Sequence, residues 1–239
     1  MSKKPLYRRV LLKLSGEALT GEQKFGIEHQ SCQQIAQAIK EVCDLGIEIG
    51  VVVGGGNVFR GAQAVEFGFA RTPADQVGML ATIINGMVLQ QSLSVLGISS
   101  IVMSGLSCSV VEEYIWARAM SFLQNKTVVI FVGGTGNPYF TTDTAAALRA
   151  SEIQAEIVLK ATKVDGIYDA DPKKNPKAKK YDRVSYAEVL AKQLNVMDAT
   201  AIALCRENSI PIFVFNLFEK NAFVRAVCEN TGGTLVHGE

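Results

Sequence analysis

The sequence predicts an α/β protein in which a mostly parallel sheet is covered by helices on both faces. Short apolar, β-branched stretches alternate along the chain with longer segments whose apolar residues recur at helical spacing. Strands that alternate with helices in this way form parallel sheets that are buried on both faces. Three of the apolar stretches also end in glycine turns: Val10–Glu17 (VLLKLSGE), Val51–Gly61 (VVVGGGNVFRG) and Val128–Leu148 (VVIFVGGTGNPYFTTDTAAAL).

The first half of the chain contains two predicted helices between apolar strands. Apolar residues at helical spacing predict a helix over Ser31–Leu45, and Gly46 supplies its stop. After the second strand, Glu48–Val53, the run TPAD at Thr72–Asp75 predicts a helix start with threonine as N-cap, proline at N1 and aspartate at N3. This second helix is predicted to end near Leu96.

The second half continues the alternation and adds one long loop. The segment Ala161–Tyr181 carries Asp-Gly, Asp-Pro and Asn-Pro turn signals, which predict a loop. Its lysines, from Lys173 to Lys180, are interpreted as a solvated flap rather than as a nucleic-acid surface. The other predicted strands are Ser99–Met103, Thr127–Val132, Ile153–Lys160, Pro211–Leu217 and Thr234–His237, and the other predicted helices are Val110–Leu123, one begun by a capping box at Ser185, Asp198–Asn208, and one before the final strand.

The composition argues against several functional classes. With 239 residues and a net charge of +1, the chain has no overall positive field for nucleic acid or an anionic membrane. No apolar run approaches the length of a membrane span, and Lys13 interrupts the first apolar stretch, which makes it a poor secretory signal. The five cysteines include no CxxC pair and suit a reducing compartment. We therefore expect a cytoplasmic protein that binds neither nucleic acid nor a membrane.

The glycine turns indicate phosphate binding. A glycine turn between a strand and a helix start aims backbone N–H groups at an anion, and a cation, Lys13 or Arg60, lies near two of the turns. The P-loop pattern GxxxxGK[ST] and the dinucleotide pattern GxGxxG are both absent. Only two histidines are present and neither is near a glycine turn, so a histidine triad or zinc site is disfavoured. Phosphoryl transfer, which needs cations, amides and Mg²⁺, fits what remains.

Four motifs resemble those of a known family. KLSGEAL at Lys13–Leu19, GGGNVFRG at Gly54–Gly61, TGNPYFTTD at Thr135–Asp143 and LKATKVDGIYDADP at Leu159–Pro172 closely resemble the bacterial UMP kinases, which belong to the amino acid kinase superfold. The resemblance covers essentially the whole chain. It implies a three-layer αβα sandwich, ATP with Mg²⁺ as donor, UMP as acceptor, a homohexamer and a place in pyrimidine nucleotide biosynthesis.

The resemblance also implies a domain organisation and a set of site residues. One amino acid kinase domain would span residues 1–239, with an acceptor-side half over about 1–150 and an ATP-side half over about 151–239. Catalytic roles would fall to Lys13, Arg60, Asp143 and Lys160, and no Mg²⁺ ligand is assigned. The implied ATP contacts are Lys13, Leu14, Ser15, Gly16, Gly56, Arg60, Thr162, Tyr168 and Asp171, and the implied UMP contacts are Gly55, Asp75, Thr135, Gly136, Asn137, Pro138, Tyr139, Phe140, Thr141 and Thr142.

Structural interpretations stand beside some of these roles. Lys13 either points at the donor phosphates or extends from an edge strand into solvent. Asp75 either reads the UMP ribose or caps its helix from N3. Asp143 either orients Lys13 and Lys160 by ion pairing or complements a helix dipole. In these three cases we favour the functional interpretation. The run Pro138-Tyr139-Phe140 could equally be a nucleotide wall, part of the core or a subunit interface.

Regulation and two other functions remain open in the sequence. Many members of the family are activated by GTP, and Gly21–Gly26 (GEQKFG) matches one segment of that site. However, Gln90, Gln91 and Ile101 stand near positions where arginines make the other contacts, so we expect weak or absent GTP activation. A carboxylate or carbamate kinase of the same superfold is disfavoured by TGNPYFTTD and Asp75. A storage or regulatory subunit that binds a nucleotide or an oxyanion without turnover is the third hypothesis.

Overall fold

One twisted sheet contains all the strands that the structure describes. The computed structural model describes residues 4–59, 64, 67–172, 174–175 and 177–238. Neighbouring strands in this part of the chain are all parallel except β8 and β9, which confirms the mostly parallel sheet. The strands are β1 (Arg9–Leu14), β2 (Glu48–Val53), β3 (Ser100–Ser104), β4 (Glu112–Glu113), β5 (Val128–Val132), β6 (Val158–Thr162), β7 (Arg183–Ser185), β8 (Ile212–Asn216) and β9 (Gly233–His237), and their order is β4-β3-β5-β2-β1-β6-β8-β9-β7.

Helices cover both faces of the sheet and give three layers. A short 3₁₀ helix, Gly16–Leu19, follows β1, and the α-helices described are α1 (His29–Cys43), α2 (Arg71–Val95), α3 (Trp116–Gln124), α4 (Thr142–Glu152), α5 (Tyr186–Ala191), α6 (Ala199–Glu207) and α7 (Ala222–Glu229). Apolar residues of α1, α2 and α7 form one core with the sheet, and those of α3, α4, α5 and α6 form a second core on the other face. No helix in the described ranges is both long and apolar enough to cross a bilayer.

Side-chain alternation along β1 decides where its lysine points. Val10, Leu12 and Leu14 belong to the core beneath α1 and α2, whereas Leu11 belongs to the core beneath α4. Successive residues of a strand point to opposite faces of the sheet. Lys13 therefore lies on the same face as Leu11, next to α4, and not on an edge strand, because β1 lies between β2 and β6.

The start of α2 differs from the sequence prediction. The helix begins at Arg71 with Ala70 at the N-cap, and no side chain caps it. Thr72 is therefore not the N-cap, Pro73 is not at N1, and Asp75 lies beyond N3. Proline is tolerated in this first turn because the first N–H groups of a helix have no partner within the helix.

Two further boundaries differ because neighbouring elements extend or intervene. The helix predicted over Val110–Leu123 begins only at Trp116, because Glu112–Glu113 instead pairs with β3. The strand predicted from Ile153 begins at Val158, because α4 runs to Glu152 and Ile153 is its C-cap. The predicted long loop is present: after β6, the described residues up to β7 form only an isolated bridge between Tyr168 and Lys180.

Candidate active site

The register between β1 and β6 brings two predicted lysines together. Lys13 pairs directly with Lys160 in these parallel strands, so both side chains lie on the face covered by α4. Adjacent strands are about 4.8 Å apart, which places two positive charges side by side. Only 9% of the Lys13 side chain and 17% of the Lys160 side chain are exposed. Two charges this close and this buried require a counter-charge.

Asp143 supplies that counter-charge to both lysines. Its Oδ1 lies 2.6 Å from Lys13 Nζ and its Oδ2 lies 3.0 Å from Lys160 Nζ. Lys160 Nζ also donates to the carbonyl oxygen of Val196. Because Asp143 lies in the first turn of α4, its carboxylate sits at the positive end of that helix as well. The ion pairs expected of Asp143 are therefore present, and they coexist with the helix-dipole interpretation.

Burial and charge act in opposite directions within this cluster. Burial by itself would raise the pKa of the Asp143 carboxyl, but the charges of Lys13 and Lys160 outweigh it and hold that pKa below its ordinary value. Burial lowers the pKa of Lys160, and the charge of Lys13 adds to this lowering while Asp143 opposes it. The Asp143 carboxylate therefore opposes loss of the proton from Lys160, whose charged form is the one that can bind phosphate.

The loops after β1 and β2 touch each other at their glycines. Gly54 N–H donates to the Leu14 carbonyl oxygen at 2.9 Å, which continues the pairing of the two strands. A Cβ at Gly16 would lie 2.9 Å from the Gly56 nitrogen, so any side chain there would separate the loops. A Cβ at Gly55 would lie 2.7 Å from the Gly78 carbonyl oxygen of α2. Among the described residues, a Cβ at Gly56 would meet no atom within 4 Å.

A cleft of about 290 Å³ opens beside Gly55 and Gly56, between α2 and the loop after β5. Six residues predicted to bind UMP or ATP line it: Gly55, Gly56, Asp75, Phe140, Thr141 and Thr142. Thr135, Gly136, Asn137, Pro138 and Tyr139 belong to the same loop but are not among the lining residues. Arg60 and Gly61 lie outside the described residues.

Asp75 holds the loop that follows β5. Its Oδ2 accepts the backbone N–H of Tyr139 at 2.8 Å and pairs with Arg71 Nε at 2.8 Å. Tyr139 has a left-handed backbone, with φ of 72°, and Arg71 lies over its ring at 5.4 Å from the ring centre. With α2 starting at Arg71, the cap interpretation of Asp75 is wrong. Its carboxylate instead fixes the position of Tyr139 at the edge of the cleft.

The predicted ATP-side residues lie on β6 and the loop after it. The Thr162 hydroxyl donates to the Val164 carbonyl oxygen at 2.5 Å. The Tyr168 hydroxyl donates to Asp165 at 2.6 Å, and Asp165 pairs with Lys180 across the loop. The carbonyl oxygen of Asp171 accepts the N–H groups of residues 174 and 175. Contact of Thr162, Tyr168 and Asp171 with adenosine stays a prediction.

Comparison with known proteins identifies the family. The sequence matches the amino acid kinase family over residues 8–216. The chain belongs to the amino acid kinase family. A uridylate kinase from Protochlamydia amoebophila (strain UWE25) is 59% identical over 233 residues, covering 96% of this chain and 92% of that protein.

Two solved structures resemble this amino acid kinase along almost its full length. UMP kinase from Bacillus anthracis superimposes with a TM-score of 0.93 at 39% identity, covering 98% of this chain and 97% of that one. UMP kinase from Ureaplasma parvum gives a TM-score of 0.92 at 39% identity, covering 99% and 100%. The resemblance to UMP kinases indicated by the four motifs is thereby confirmed.

Sequence reasoning missed two features of the amino acid kinase site. Asp198 caps α6 and also accepts hydrogen bonds from the hydroxyls of Thr141 and Thr144, so it ties α6 to the start of α4. From sequence it appeared only as a helix start. The second missed feature is the part of the cleft wall made by α2, whose small residues at i, i+4 spacing were a signal for it: Ala74, Gly78 and Thr82.

Proposed function

We propose that this amino acid kinase is a UMP kinase that transfers the γ-phosphoryl group of ATP to UMP and forms UDP and ADP. The observation that carries the proposal is the buried cluster of Lys13, Asp143 and Lys160, in which Asp143 directly follows Thr142 of the cleft wall, in a chain 59% identical to a uridylate kinase. Such a reaction serves pyrimidine nucleotide biosynthesis.

The reaction needs charge and positioning more than covalent chemistry. The second pKa of a phosphate monoester is near 6, so the acceptor is already an oxyanion at neutral pH and no general base is required. One oxygen of the UMP phosphate forms a bond to the γ-phosphorus while the bond from that phosphorus to the ADP oxygen breaks. Lys13 and Lys160 stabilise the charge on the transferring group, and Asp143 holds both ammonium groups in place.

We propose one domain, 1–239, in which the ATP-side half, about 151–239, contacts adenosine through Thr162, Tyr168 and Asp171, while the acceptor-side half, about 1–150, binds UMP and also reaches the donor phosphates. The donor phosphates contact five residues, with Arg60 beside them: Lys13, Leu14, Ser15, Gly16 and Gly56. The loop Thr135–Thr142 and Asp75 hold the UMP nucleoside, and Gly55 approaches its phosphate. Support comes from the contact between the two glycine loops and from the cleft that lies between Asp75 and Phe140.

Mg²⁺ is proposed to accompany ATP. Mg²⁺ keeps several waters and is held largely by substrate phosphates in such enzymes. The described residues contain no group of three or more His, Cys, Asp or Glu that could hold a metal ion. When bound, Mg²⁺ would take phosphate oxygens of ATP as ligands and would offset part of the charge between the two polyanions.

The direct test is an ADP-release assay with ATP and Mg²⁺. UMP, CMP, dTMP, GMP, AMP, N-acetylglutamate and carbamate are offered in parallel. Turnover with UMP and with no other acceptor is the expected result. Turnover with a carboxylate or carbamate instead would assign a different kinase activity, and ATP binding without turnover of any acceptor would indicate a storage or regulatory protein.

Replacing Asp75 with asparagine is expected to raise the KM for UMP about 10–100-fold, since a hydrogen bond to a charged group contributes about 1.5–3 kcal/mol. The KM for ATP should change less than threefold. Glu188→Gln, which breaks an exposed i, i+4 pair with Lys192, is the matched control. An equal rise in both KM values, or a lower melting temperature with unchanged KM, would remove the ribose role from Asp75.

We propose a homohexamer in the cytoplasm. An apolar groove of about 1070 Å³ between α1 and α2, with exposed Met87 and Val95 on its wall, is suited to contact with another subunit. The five cysteines are all free thiols, which fits a reducing compartment. Light scattering coupled to size-exclusion chromatography should give six times the mass of 25.8 kDa; a monomer would contradict the proposal.

GTP is expected to leave the rate of this enzyme unchanged or nearly so. Gln90 donates its side-chain amide to the Ser100 carbonyl oxygen at 3.0 Å, and the neighbouring Gln91 lines the apolar groove. Neither residue carries a charge that could hold a nucleotide phosphate. Initial rates at subsaturating UMP, measured with and without GTP, provide the test, and a severalfold increase would disprove the expectation.

A further inference from the structure

Two buried asparagines form a closed hydrogen-bond pair beneath the glycine loops. Asn57 and Asn85 are both 0% exposed. Asn57 Nδ2 donates to Asn85 Oδ1 at 3.0 Å, and Asn85 Nδ2 donates to Asn57 Oδ1 at 2.6 Å. The second proton of each amide also has an acceptor: the Gly26 carbonyl oxygen for Asn57, at 3.0 Å, and the Gly54 carbonyl oxygen for Asn85, at 2.7 Å. All four amide protons are therefore used.

Packing alone does not account for this pair. Elsewhere α2 meets the sheet with apolar side chains such as Ile83, Leu89 and Leu93. Burying two amides is costly unless every polar atom is bonded, whereas two apolar groups of similar size would fill the same space without that requirement. A fully bonded amide pair differs from apolar packing in one respect: it fixes distances and angles between the backbones that it joins.

The asparagine pair contacts the backbones of the two glycine loops, which follow β1 and β2. Gly54 is the first residue after β2, and its carbonyl is held by Asn85 from α2. A Cβ on Gly16, in the loop after β1, would lie 2.4 Å from Asn57 Oδ1, so Asn57 fills the space directly beside that loop. The backbone of Asn57 also accepts the N–H of Gly26 at 2.9 Å, which anchors its position a second time.

We propose that Asn57 and Asn85 are positioning residues for phosphoryl transfer, which set the separation between the loop at Gly16, on the donor phosphates, and Gly55, on the acceptor phosphate. This rests on the proposed placement of the two phosphates on those loops. Reaction requires the attacking oxygen and the γ-phosphorus to be about 3–3.5 Å apart, and a 1 Å misplacement can cost about 10²-fold in rate. Neither asparagine touches a substrate. Both act through the glycines.

Asn85→Asp is the sharpest test because it changes hydrogen bonding at almost constant shape. The carboxylate still accepts from Asn57 but cannot donate to Gly54, and it places negative charge against that carbonyl oxygen. We expect kcat to fall about 10–100-fold, with the KM values for ATP and UMP within about threefold of those of the wild type. In Asn57→Asp, Asn85 still donates to the Gly54 carbonyl oxygen and to the side chain at position 57, and only the two bonds donated by Asn57 are lost. We therefore expect a smaller fall in kcat for this variant.

Two controls separate positioning from stability. Leu93→Ala removes a fully buried side chain from the same helix and should lower the melting temperature without changing kcat at a temperature well below unfolding. Asn125→Asp alters an exposed amide that bonds to the Ser121 carbonyl oxygen of its own helix and should leave kcat unchanged. If Asn85→Asp does not fold, Asn57→Asp and Asn85→Ser are measured in the same way.

The outcomes are distinguishable. A lower kcat at unchanged KM, larger for position 85 than for position 57 and absent in Leu93→Ala, supports the proposal. A kcat within twofold of wild type in folded Asn85→Asp, or a change confined to KM or to melting temperature, overturns it. Absence of UMP phosphorylation by the wild-type enzyme would instead contradict the proposed function itself.

Discussion

Replacing Lys13 with methionine is expected to lower kcat about 10²–10³-fold while the protein stays folded. Removing one preorganised group that stabilises transition-state charge has an effect of this size. Methionine keeps the unbranched stem of the side chain, which is 9% exposed, and Asp143 retains its pairing with Lys160 at 3.0 Å. The loss should therefore appear in catalysis and not in folding.

Steady-state kinetics with ATP and UMP, together with a thermal melt, test this prediction. Lys177→Met, which removes an exposed lysine of the loop after β6, is the matched control and should leave kcat unchanged. Unchanged turnover in folded Lys13→Met would remove Lys13 from the reaction. A rise in the KM for ATP at constant kcat would assign it to ground-state binding alone.

Replacing Asp143 with asparagine is expected to lower kcat by a similar factor and also to move the pH profile. The carboxylate is the counter-charge for both lysines, and it opposes the lowering of the Lys160 pKa that burial and Lys13 produce. Without it the pKa of Lys160 falls further, so Lys160 loses its proton at a lower pH. The alkaline decline of kcat/KM, which reports the free enzyme, should begin at lower pH than in wild type.

Stability should change in the same variant because the two buried lysines lose the carboxylate that is paired with both of them. Removing one partner of a buried pair lowers the free energy of unfolding by on the order of 3 kcal/mol. This loss should shrink as pH rises, because deprotonation of Lys160 relieves its repulsion with Lys13. Denaturant melts at several pH values measure this. Asp44→Asn, in an exposed pair with Lys40, is the control. If Asp143→Asn has the kcat of the wild type and an unshifted pH profile of kcat/KM, Asp143 only complements the helix dipole.

Much of the fold was accessible from local pattern because its elements are locally encoded. Periodicity of apolar residues predicted the alternation of strands and helices. The first helix is present, but it spans His29–Cys43 with Asp44 as C-cap, so it ends two residues before the predicted Leu45, and Gly46, with φ of 78°, lies in the turn that follows. The errors fell at boundaries where a neighbouring element competes: α4 continues to Glu152 where a strand was predicted, and pairing with β3 draws Glu112–Glu113 out of a predicted helix. Pairing partners of a strand cannot be read from a local window.

For the candidate site too, some features were predicted from short stretches of sequence and others depend on contacts between distant residues. Local pattern predicted that glycine turns end three strands and that Lys13 lies near one of them, since backbone freedom and strand alternation are properties of short stretches. The resemblance to the UMP kinases added Asp143 and Lys160 to the predicted site. How the site residues meet depends on long-range contacts: the β1–β6 register sets the two lysines side by side, and Asp75 reaches Tyr139 from 64 positions away. The amide pair of Asn57 and Asn85 likewise joins residues 28 positions apart. Such contacts depend on how α2 and α4 pack against the sheet, and that packing is a property of the whole chain.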